Sequence, residues 1–89
     1  MQNENPSEER SRVMRSFDAA TNFVHAFLAG GRGYKSADIE AGIRRLKEAC
    51  DVMEQKYGEG KNAEFTKTLI SQGRVAVKEA QIALAERQK

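Results

Sequence analysis

The unusual chemistry of this chain is concentrated in seven residues, Gly30-Gly31-Arg32-Gly33-Tyr34-Lys35-Ser36. Successive backbone N–H groups at glycines can wrap an anion, and a helix beginning at Ser36 would aim its unpaired N–H groups at the same point. Arg32 could fork onto a phosphate, Lys35 could add charge and Tyr34 could stack on a base. Gly31, Arg32, Gly33, Tyr34, Lys35 and Ser36 are therefore the candidate anion site. The segment is neither a P-loop, which needs G-x-x-x-x-G-K-[ST] after a strand, nor a dinucleotide fingerprint, which needs G-x-G-x-x-G in a βαβ unit. The plain alternative is a turn between two helices in which glycine serves as a cap.

A second constellation is electrostatic. Lys67, Arg74 and Lys78 recur at spacings of seven and four, a cationic stripe on one helical face that could follow a phosphate backbone in RNA or DNA. Between Lys61 and Lys78 the one acid is Glu64. An ordinary solvated face explains the stripe equally, and exposed aromatics for stacking on bases are scarce.

Catalysis and metal binding have little to work with. The chain holds one cysteine, Cys50, and one histidine, His25. Together they are too few for a zinc site, and there is no Glu-x-x-His pair of the di-iron bundle kind. Cys50 falls at a core position and His25 at the border of an apolar face, where a partly buried structural histidine is expected. No catalytic residue, metal ligand or cofactor is assigned, and the reading is non-enzymatic.

Helices must position these groups. Residues 1–6 read as a disordered tail and 7–89 as one helical domain, with helices over about 7–29, 36–57 and 62–87. Ser7, Ser36 and Asn62 are the expected N-caps. In the first helix Val13, Phe17, Ala20, Val24 and Phe27 recur at three and four, one apolar face. The second carries Ile39, Ile43, Leu46, Cys50, Met53 and Tyr57, a heptad-like seam. The third offers Phe65, Leu69, Ile70, Ala76, Val77, Ala80 and Leu84. Gly42 and Gly73 lie inside helical patterns, where glycine costs about 1 kcal/mol relative to Ala. Close packing is the simplest reason for them, and an antiparallel hairpin places Gly73 opposite Leu46 to Cys50.

Short connections make consecutive helices antiparallel neighbours, so the expected fold is all-α, a three-helix up-down-up bundle. It could close as a monomer or be completed by homo-oligomerisation. Val75 and Ile82, seven residues apart and off the main apolar face, suggest a second seam, with Phe23 at the edge of the first helix's stripe. These three are the candidate oligomer interface.

Composition bounds the function. At 89 residues the chain is one domain, 39% hydrophobic and 31% charged, with a net charge of +2. So small a charge decides nothing about nucleic acid. One thiol and a polar start suit a cytoplasmic protein with no membrane segment. In format the chain resembles the small helical regulators, inhibitors and adaptors of phages and mobile elements, a likeness carried by no motif. The leading expectation is a helical interaction protein that binds a partner protein and itself. The alternatives are a nucleotide- or phosphate-sequestering module at Gly30–Ser36 and a nucleic-acid binder using the third-helix stripe.

Overall fold

A computed structural model describes residues 6–30, 33–60 and 63–87. It contains three α-helices, α1 Pro6–Leu28, α2 Ser36–Tyr57 and α3 Ala63–Arg87, and no strand among the described residues. The all-α, three-helix architecture expected from the periodicities is the one observed. The tail residues 1–5 and Asn62 lie outside the described residues.

Each helix starts and stops for local reasons. Pro6, expected in the tail, instead opens α1, where a missing N–H costs nothing, so Ser7, the expected cap, lies inside the helix; Glu8 and Glu9 complement the positive end of its dipole. Beyond Leu28, the amide of Ala29 donates to the His25 carbonyl and that of Gly30 to the Phe27 carbonyl. Gly30 then takes φ 129°, a conformation that disfavours any side chain. The cap of α2 differs from expectation. Ser36 is the first helical residue, and Lys35 is the N-cap, extended at φ −76° and ψ 144°, with no side-chain cap. The Gly58 amide closes α2 on the Glu54 carbonyl at 3.1 Å. Gly60, at φ 114°, then turns the chain into α3.

The three helices close around one core. Paired contacts fix the direction of the first hairpin: Glu9 meets Lys56, Arg10 lies over the Tyr57 ring and Phe23 lies over Gly42. The second hairpin is set by Cys50 against Gly73 and Arg74 against Asp51 and Glu54. Phe17 of α1 also reaches Gly73 of α3, so the first and third helices touch.

The buried face of α1 is the expected Val13, Phe17, Ala20, Val24 and Phe27. The α2 seam is buried from Ile39 to Met53, with Tyr57 partly exposed. In α3 the face is rotated from the expected one. Phe65 is 63% exposed, and Thr66 is buried in its place beside Ile70, Gly73, Val77, Ala80 and Leu84. Among the described residues, the buried hydroxyl Thr21 Oγ1 of α1 has no hydrogen-bond partner.

Candidate functional site

An open trough of about 760 Å³ runs along the α1–α2 hairpin. Its floor is built from small side chains: Ala19 and Ala20 on α1, and Ala41, Gly42 and Ala49 on α2, with Val13 and Val52 toward one end. Two helices that meet through Ala and Gly leave a shallow channel between their outer ridges, because no side chain fills the seam. At 100° per residue, these positions lie on the flank of α1 turned away from Thr21 and Leu28, and on the flank of α2 turned away from Glu54. Since Glu54 is bound to Arg74 of α3, the trough runs along the back of the hairpin, opposite α3.

Both ends of the trough are braced. At one end Phe23 lies over Gly42, and the Tyr34 ring meets it edge-on, centroids 5.2 Å apart at 80°. Such an edge-to-face pair contributes about 1 kcal/mol beyond the area it buries. At the other end the Lys56 ammonium donates to the Glu9 carboxylate, holding that carboxyl below its usual range and the ammonium above its own. The Arg10 guanidinium, 5.2 Å from the Tyr57 centroid, adds a cation–π contact nearby. The rim carries Arg12 and Arg45 against Asp38 and Glu48, so its charges balance.

A second depression, about 730 Å³, opens between the end of α2 and α3. It gathers the cations singled out in the sequence, Lys67, Arg74 and Lys78, above a floor that includes Ile70. Glu54 and Glu59 line it too. The Arg74 guanidinium donates to Asp51 at 3.1 Å and to Glu54 at 2.5 Å, and these carboxylates raise its pKa further above the usual range. A phosphate backbone would have to compete with both acids for this arginine.

The remaining sequence-derived residues are dispersed. Gly31 and Arg32 lie outside the described residues. Of the loop, Gly33 and Lys35 are exposed and Ser36 is partly buried in the first turn of α2, while Tyr34 alone reaches into a concavity, the α1–α2 trough. Val75 and Ile82 are exposed on α3 at 54% and 53%. Phe23 is not beside them: it is half-buried in the trough, so the three do not make one patch. His25, expected to be partly buried, is exposed.

Cys50 is wholly buried, its thiol facing the Ile70 carbonyl at 3.9 Å, and desolvation pushes its pKa up. No cluster of three His, Cys, Asp or Glu side chains capable of holding a metal exists among the described residues. No described helix is long and apolar enough to cross a membrane.

Sequence reasoning found neither the trough nor its rim. Ser16, Ala19 and Ala41 are unremarkable one helix at a time; the signal was that small residues cluster on matching flanks of both partners of a hairpin. Comparison with known proteins adds no assignment: no family model, no curated protein and no solved structure matches the chain.

Proposed function

We propose that the protein acts by binding, without catalysis, and that the α1–α2 trough receives an amphipathic helix of a partner protein. The observation that carries this reading is the trough itself: an apolar, small-residue floor running along two helices, with balanced charges on its rim. A helix whose apolar side chains project at three- and four-residue spacing would seat them on Ala19, Ala41 and Ala49, completing a fourth position around the hairpin. Acids and bases flanking that ridge would meet Arg12, Arg45, Asp38 and Glu48, which supply register and selectivity more than affinity. What supports the non-catalytic reading is that the thiol of Cys50 is sealed in the core.

A second reading draws on the same surface. Tyr34 at one end of the trough, with Arg45 on its rim, could take a nucleotide base and phosphate. The open, shallow shape favours a helix, because small-ligand sites enclose most of the ligand surface.

Photo-crosslinking decides between them. A crosslinking side chain at Ala19 or at Ala41 is expected to trap the same partner, through residues on one face of one helix, and Ala41→Glu is expected to abolish both products. The control is Asp18, adjacent in the chain but about 100° around the helix. Equal trapping from Asp18 would overturn the assignment. A nucleotide that raises the melting temperature in the parent and not in Arg45→Ala would move it to the second reading.

A further inference from the structure

Among the described residues, the outward face of α3 carries an apolar line that does not join the core, and Val75 on it also edges the depression between α2 and α3. Val75 and Ile82 are about half exposed and lie directly opposite the buried positions Gly73, Val77, Ala80 and Leu84. A spacing of seven keeps them within about 20° of one another around the helix. One turn-pair earlier on the same line is Thr68. Its hydroxyl donates to the Glu64 carbonyl at 3.0 Å, within its own helix, so its polar group is spent locally. Thr68, Val75 and Ile82 are thus three β-branched residues at heptad spacing, the side-chain type favoured at the first core position of parallel two-stranded coiled coils. Phe65 is roughly a quarter-turn away and stands outside this line.

The flanks of the line are of opposite sign. Lys78 lies about 50° to one side of the line's mean direction, and Lys67 about 70° to the same side. Glu79 and Glu86 lie about 50° and 30° to the other. An interface between identical chains must be self-complementary, and the sign pattern selects its geometry. In an antiparallel pair each flank meets its own copy, base on base and acid on acid. In a parallel pair, related by a twofold axis along the helices, Lys78 on the basic flank of each chain meets Glu79 on the acidic flank of the other, while Lys67 and Glu86, about 28 Å apart along the axis, do not meet. Arg74 is held by Asp51 and Glu54 of its own chain, so Lys78 is the cation placed to cross.

We infer that the protein associates with a second copy of itself through α3, side by side and parallel, with Val75 on Val75, Ile82 on Ile82 and Lys78 opposite Glu79 in both directions. This interface is separate from the trough, which lies on the opposite side of the hairpin and stays open in the pair. Ser71 and Ala85 beside the line are small enough to let the helices approach. With one apolar residue per heptad the contact falls below a standard interface, and the pair is expected to be concentration-dependent, with a Kd on the order of micromolar to hundreds of micromolar.

Sedimentation equilibrium of the full chain tests this. The parent is expected to shift from monomer to dimer with concentration, and Val75→Asp with Ile82→Asp to stay monomeric at unchanged helicity. Lys78→Glu alone and Glu79→Lys alone are each expected to weaken the pair at least tenfold. Lys78→Glu with Glu79→Lys in one chain should restore it. An equimolar mixture of the two single variants should pair as a heterodimer, because every crossing contact then joins opposite charges. A Val75→Cys variant treated with an added disulfide-forming oxidant (oxidised glutathione, which takes up the two electrons) should give a dimer linked 75 to 75. A parent that stays monomeric up to about 1 mM, a double swap that fails to restore pairing, or crosslinking of Val75→Cys to Ile82→Cys in preference to itself would each overturn the inference.

Discussion

Two glycines inside helices do different work, and a single methyl tells them apart. A Cβ on Gly73 would stand 2.8 Å from Cys50 Sγ and 3.0 Å from Phe17 Cε2. Both neighbours are buried, at 0% and 3% exposure, so neither has space to retreat into. Overpacking of this kind costs about 1–3 kcal/mol, against about 1 kcal/mol returned by helix propensity. Gly73→Ala is therefore expected to destabilise by up to about 2 kcal/mol in denaturant unfolding. A Cβ on Gly42 would run into the Phe23 ring. That ring is half-buried at the mouth of the trough and can swing outward. Gly42→Ala should accordingly fall within about 1 kcal/mol of the parent, since propensity offsets the lost ring contact. Its effect should appear in the trough, as loss of the Phe23–Tyr34 pair and weaker capture of a partner. Equal destabilisation by the two substitutions would contradict this account. The sequence identified both glycines as sites of close approach, and for Gly73 it also indicated the opposing stretch, because hairpin arithmetic links 73 to 46–50. It gave no hint that Gly42 faces Phe23, since a half-buried phenylalanine at a stripe edge looks the same whether it covers a glycine or waits for a second chain.

At the scale of the element, helix faces were legible where large apolar residues mark them and misread where small or polar ones do. Counting bulky residues along α3 pulled the expected face toward Phe65. The true centre runs through Thr66, Gly73 and Ala80, which weigh little on any hydrophobicity count yet pack well against neighbours. The α2 cap was misplaced by one residue for a similar reason: Ser36 has the right side chain for a cap, but Lys35 has the extended backbone. How α1 is fastened to α2 was also invisible, because Glu9 and Lys56 are 47 residues apart and each looks like an ordinary surface charge. Their ion pair has a definite pH signature. The Glu9 pKa is lowered in the fold, so its contribution is whole above the ordinary carboxylate pKa and is lost as pH falls through the depressed value. The Lys56 pKa is raised, so the contribution is whole below the ordinary ammonium pKa and is lost as pH climbs through the raised one. Glu9→Gln should thus lower the melting temperature slightly at neutral pH, as surface pairs do. The gap to the parent should close as pH falls below the ordinary carboxylate value of about 4.3 and through the depressed one. A gap that persists unchanged into acid would mean that Glu9 acts through something other than its charge.

For the whole molecule, the question is whether three helices with a thin core open as one unit. Small domains bury a modest fraction of their surface and are correspondingly marginal, so both the trough and the α3 line depend on a scaffold with little stability to spare. Cys50 reports on this directly. Its side chain is fully buried where α1, α2 and α3 converge: Gly73 of α3 is against it, and Phe17 of α1 packs on the same glycine. A thiol reagent cannot reach Cys50 while the three helices are together, and burial also keeps the proton on, since its pKa is raised. Labelling in native buffer should therefore be slow and should track the population of the open form. It should accelerate in Gly73→Ala by the factor that the stability loss dictates, about tenfold for each 1.4 kcal/mol. The sign of the pH effect follows from the same shift. Stability linked to the thiol is intact below the unfolded-state value of about 8.5 and declines as pH rises toward the higher folded value, because the open chain ionises first. Labelling should rise more steeply above about pH 8.5 than reagent chemistry with a free thiol explains. If Cys50 instead labels as fast as a free thiol at neutral pH, then α3 leaves the hairpin without global unfolding. In that case the α3 surface is an exchangeable element, and pairing between copies would have to be weighed against exchange of α3 itself.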